Sequence, residues 1–151
     1  MKALVLGFVC LVMTLGMQAK SVVGQLDQTI DQKVTQVVKD KVWKLKADMV
    51  FLSGGKTVAL SSDSCFMQVN GAEAAVCLPY LGGEQDSERV NLQGKVTAYS
   101  FRDKGDHFTV NLRMEADQKN YSFTIHVYKE DGLGSILLNS TQLSYSAELV
   151  R

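Results

Sequence analysis

The chain has 151 residues, of which 46% are hydrophobic, 8% aromatic and 21% charged, with 16 basic against 16 acidic side chains. That is the composition of one globular domain, and it excludes a disordered tail, a collagen and a polytopic membrane protein. The balanced charge offers neither the basic surplus of a nucleic-acid binder nor the acidic surplus of a solvating tail.

The N-terminus runs Met1-Lys2, an apolar stretch from Ala3 to Met17, then Gln18-Ala19-Lys20. A positive start, an apolar core and a small residue before a polar stretch make the pattern of a secretory signal peptide. The stretch falls short of the roughly 20 apolar residues that span a bilayer. Cleavage is placed after Ala19, with cleavage after Gly16 as the alternative. Cys10 follows Val9 rather than a small residue, and mostly apolar residues continue beyond it, which argues against lipid attachment there. The expectation is a signal peptide over 1–19 and a single domain over 20–151, periplasmic or secreted, with no transmembrane segment after cleavage.

Residues 21–40 carry Val23, Leu26, Ile30, Val34, Val37 and Val38 three or four apart, one stripe of an amphipathic helix. From Val42 the period changes to two: Trp43, Leu45, Ala47 and Met49 alternate with Lys44, Lys46 and Asp48, a half-buried strand ended by Ser53-Gly54-Gly55-Lys56. Further strands are read at 57–60, 64–69, 74–80, 90–93, 95–102, 107–116, 120–129, 134–139 and 143–149. The clearest hairpin joins Phe108, Val110, Leu112 and Met114 to Tyr121, Phe123, Ile125 and Val127 across the loop Asp117–Asn120. Connections this short force antiparallel neighbours. The fold expected is therefore mainly β (α+β): an N-terminal helix packed on a curled antiparallel meander of about eight strands, as a half-barrel or a two-layer roll.

Cys65 and Cys77 flank the turn signal Asn70-Gly71. A three-residue turn sets them opposite each other and allows a disulfide, as an exported chain would favour. A two-residue turn pairs Cys65 with residue 76 and points the sulfurs apart, leaving two buried thiols. Leu78-Pro79-Tyr80 marks where a strand leaves its ladder, because proline cannot donate a backbone hydrogen bond. After it, Leu81-Gly82-Gly83 and an acidic stretch ending at Arg89 form the longest irregular segment. Tyr80, Leu81, Gly82, Gly83 and Arg89 are taken as the candidate interaction surface, with Tyr80 as aromatic anchor.

No nucleophile elbow, phosphate loop, zincin or dinucleotide motif is present. Gly54-Gly55-Lys56-Thr57 lacks both the earlier glycine and the following helix of a phosphate loop. His126 falls on the polar face of its strand, and His107 beside Asp103 and Asp106 reads as a turn. Catalytic, cofactor and metal-ligating residues are accordingly none.

Ala47-Asp48, Ser53-Gly54-Gly55-Lys56, Leu60-Ser61-Ser62, Leu78-Pro79-Tyr80-Leu81-Gly82 and Leu143-Ser144-Tyr145-Ser146-Ala147-Glu148-Leu149 occur in an order that resembles the secreted Bacteroidetes family DUF4251. The resemblance covers most of 26–150, and Leu-Pro-Tyr is its most specific element. It implies an exported, mostly β domain and supplies no known activity. With no catalytic residue known in the family, none is carried over. The family pattern also places Phe and then Arg around the Gly after that motif, where this chain has Leu81 and Gly83, so any site built on that Arg does not transfer here. The function expected is a non-catalytic binding or cell-envelope accessory protein, whose partner is an envelope protein or small ligand and not nucleic acid. A carrier of small apolar ligands inside the rolled sheet is the alternative, and a hydrolase or metal enzyme built on His107 ranks below both.

Overall fold

The computed structural model describes residues 21–150 apart from positions 62, 86 and 142, and for residues 21–29 the backbone alone. The expected signal segment and the side chains of Val23 and Leu26 lie outside the described residues. One helix, α1 (Ser21–Asp40), precedes nine strands: β1 (Val42–Phe51), β2 (Thr57–Ala59), β3 (Phe66–Asn70), β4 (Glu73–Pro79), β5 (Arg89–Asp103), β6 (His107–Ala116), β7 (Lys119–Tyr128), β8 (Leu133–Leu138) and β9 (Ser144–Leu149).

The strands are antiparallel neighbours from β3 to β9 in chain order, as the short connections require. The curl is complete: β1 pairs with β9 from Leu45↔Leu149 to Phe51↔Ser144, so eight strands close into a barrel. β2 lies outside that ring, on the far half of β1, through Val50↔Val58. Closure satisfies the edges that a half-barrel would leave open.

Two bulges decide which residues face inward. The β1–β9 register shifts at Asp48, so Trp43, Leu45 and Ala47 are buried, but the next buried residue is Val50 and not Met49. An extra residue moves every later side chain to the other face. In β5 the shift falls at Thr97: Leu92 and Val96 face the interior before it, and Tyr99 packs on the core after it. β5 is one strand, not two. A Cβ at Gly94 would run into the carbonyl oxygen of Glu115, so only glycine lets β5 pass that close to β6.

The turns also differ from expectation. Asp117 and Gln118 form a two-residue turn with φ of +51° and +63°, and Lys119 is already paired with Ala116. Positive φ at both central residues matches the right-handed twist of the flanking strands. Between β3 and β4 the turn is Gly71-Ala72, with Gly71 at φ +62° and Asn70 paired to Glu73. Neither register anticipated for the cysteines is present: Cys77 pairs with Phe66, and Cys65 lies one residue before the ladder. Both thiols are buried and free.

Phe108, Phe123, Tyr145, Met67, Met114, Leu112, Ile125 and Ile136 fill the interior at 0–1% exposure. α1 packs Val34 and Val38 into this core, with Ile30 and Val37 partly buried against it. A small apolar void of about 30 Å³ lies between the helix and Gly132, Leu149 and Val150. The helix is anchored where it meets the barrel: Trp43 Nε1 donates to the Tyr99 hydroxyl at 3.0 Å, which donates to the Val38 carbonyl at 2.8 Å.

Candidate cleft at the barrel end opposite the helix

β4 ends at Pro79, its last residue paired with Arg89 of β5. The chain then turns with Tyr80 at φ +63°, and Gly83 N–H donates back to the Tyr80 carbonyl at 3.0 Å. A left-handed conformation is costly for a bulky aromatic residue and persists only where its surroundings hold it. Those surroundings are explicit. The buried Tyr145 hydroxyl donates to the Pro79 carbonyl at 2.5 Å, and Leu81, at 7% exposure, plugs into the core immediately after. Beyond it, Glu84 accepts a hydrogen bond from the Ser53 amide at 2.5 Å, fastening the loop to the β1–β2 connection.

This arrangement leaves an open cleft of about 420 Å³. Val58 and Leu60 form its apolar wall, Ser64 and Cys65 line it beside them, and Tyr80 and Arg89 complete its rim. The candidate surface residues are therefore divided. Tyr80 and Arg89 share the cleft, Gly82 is exposed on the loop, and Gly83 is half-buried at φ +131°. Leu81 is a core residue, not a surface one, because it caps the apolar interior at this end. Val58, Leu60 and Ser64 were not anticipated as site residues. They belong to the β2 stub and the segment after it, which reach Tyr80 because β2 and β3 share one edge of β1 and β4 pairs with β3.

The electrostatics favour neutral thiol and phenol groups beneath one exposed cation. Burial pushes the Cys65 thiol up, with Cys77 adding to it and the Arg89 charge opposing it. Burial likewise pushes the Tyr145 phenol up, helped by Cys65 and Tyr80. A thiol held protonated in this way is a poor nucleophile. Glu84 is held below the usual carboxylate range by the Ser53 hydrogen bonds. Among the described residues no group of three or more His, Cys, Asp and Glu side chains gathers around a metal-sized space, and no helix is long and apolar enough to cross a membrane.

The sequence was compared with known families, curated proteins and solved structures. No curated protein matches it. The crystal structure of a DUF4251 family protein from Bacteroides eggerthii has a similar fold, with a TM-score of 0.68 at 17% identity, over 83% of this chain and 90% of that one. The model of the family DUF4251, a domain of unknown function, matches residues 25–147, as the order of short motifs through Leu78-Pro79-Tyr80 implies. The chain belongs to the DUF4251 family.

Proposed function

We propose that this protein is an exported, non-catalytic binding module, and that the cleft between Val58–Leu60 and Tyr80 is its contact site. The observation that carries the reading is the left-handed backbone of Tyr80 at the cleft rim. Strain of this kind concentrates at functional sites. The lining fits a ligand or peptide segment with an apolar group beside one carboxylate: Val58, Leu60 and Tyr80 receive the first, and Arg89 and Ser64 the second.

The filled interior speaks against a carrier, which needs an enclosed volume of about 300 Å³ or more. Phe108, Phe123, Tyr145 and Met114 occupy that space. The buried Cys65 thiol, pushed up from its ordinary value, speaks against nucleophilic catalysis by that residue. Export rests on the segment 1–19, and mass spectrometry of the native protein should find it beginning at Lys20.

The test is charge reversal at Arg89. Immobilised mature protein is exposed to the detergent-solubilised envelope of its native host, and bound proteins and small molecules are identified. The Arg89→Glu variant should retain its melting temperature, because Arg89 is exposed, and lose the specific species. Equal recovery by both proteins contradicts this site.

A further inference from the structure

The outer face of β6 and β7 carries a feature unconnected to the cleft. His107 is paired with Tyr128 and His126 with Thr109, so the two histidines are diagonal neighbours across the ladder. Phe108, Val110, Ile125 and Val127 take the inner positions, and strand alternation leaves both imidazoles outside. Their ring centroids are 5.5 Å apart with an interplanar angle of 67°. In each ring Nδ1 is already engaged: His107 Nδ1 lies 2.6 Å from Asp106 Oδ1, and His126 Nδ1 lies 3.2 Å from Thr109 Oγ1. The nitrogen left over in both rings is Nε2.

We propose that His107 and His126 form an open two-histidine site for an imidazole-seeking divalent cation, Zn²⁺ or Cu²⁺. The spacing suits it: two imidazoles sharing one tetrahedral ion, with metal–nitrogen bonds of about 2.1 Å, have centroids about 5 Å apart. The partners suit it too. Metal-ligating histidines characteristically give their second nitrogen to a carboxylate or another oxygen, which fixes the tautomer and aims the ring. Asp106 fills that role for His107, and Thr109 for His126. Asp103 is not a ligand, because both its oxygens hold Lys129 Nζ, at 2.8 and 2.9 Å. Among the described residues no third histidine, cysteine or carboxylate joins the pair, so water takes the remaining positions. Imidazole and water suit Cu²⁺ and Zn²⁺ and give Mg²⁺ or Ca²⁺ no carboxylate cage.

The experiment uses the mature chain without an affinity tag. Titration calorimetry with Zn²⁺, and electron paramagnetic resonance with Cu²⁺, should each report one equivalent bound, the Cu²⁺ spectrum showing nitrogen coordination. His107→Gln and His126→Gln should each abolish binding while leaving the circular dichroism spectrum unchanged. Asp106→Asn should weaken binding about tenfold, the loss expected of an orienting carboxylate. Mg²⁺ should not compete. Absence of binding overturns the proposal. So does binding that survives both histidine substitutions, which would assign the ion to the thiols of Cys65 and Cys77 or to surface carboxylates.

Discussion

The Tyr99 hydroxyl joins the helix to the barrel, accepting from Trp43 Nε1 and donating to the Val38 carbonyl. Tyr99→Phe removes one atom and leaves two polar groups without partners in a partly buried site. That costs about 1–3 kcal/mol, and thermal denaturation should fall by several degrees with Trp43 fluorescence altered. An unchanged melting temperature would show that water replaces the hydroxyl. Glu84 makes a second single-residue claim. Its carboxyl is held below the ordinary value of 4.5 by Ser53, so the tie is complete above that pH and is lost as pH falls through the depressed value. The Ser53 amide resonance should titrate with a midpoint below 4.5, and Glu84→Gln should abolish that titration. The buried Cys65 thiol, pushed up from its ordinary value, should resist iodoacetamide at neutral pH until the protein is unfolded.

At the scale of elements, the bulges are the decisive features. With Asp48 as the extra residue, Val50 is buried and Met49 is not. Val50→Ala should cost roughly 2 kcal/mol, as the loss of two buried methyl groups does, whereas Met49→Ala should cost well under 1 kcal/mol. The uninterrupted alternation read from Trp43 to Met49 gives the reverse order, so chemical denaturation of the two variants decides between them. The same contrast shows what the sequence makes legible. Helix α1, the β6–β7 pair and the end of β4 at Pro79 are written in local periodicity and in the missing proline N–H. The bulge at Asp48 leaves no such mark, because it is set by pairing with β9, about a hundred residues away. Asn70-Gly71 signals a turn correctly in kind but one residue early. Tyr80 has no intrinsic preference for positive φ, so its conformation is visible only once Tyr145 and Leu81 hold it from either side.

For the whole molecule, closure through β1–β9 fills the interior, while the order β2-β1-β3-β4 on the other edge of β1 brings the β2 segment beside the end of β4 and builds the cleft. A packed barrel should respond to core truncation as a unit. Phe123→Ala, at 0% exposure, should cost about 3–5 kcal/mol and lower the melting temperature by roughly 10 °C. It should not create a tight apolar-ligand site of the size a carrier would own. The central claim is that Tyr80 is strained for the sake of contact rather than for stability. Its most direct test measures melting temperature and recovery of the native partner together for Tyr80→Gly and Tyr80→Ala. Glycine relieves the left-handed backbone and alanine does not, so the account predicts the glycine variant to be about 1 kcal/mol more stable than the alanine variant, with partner recovery lost in both. Equal destabilisation of the two variants, with recovery intact after refolding, would contradict it.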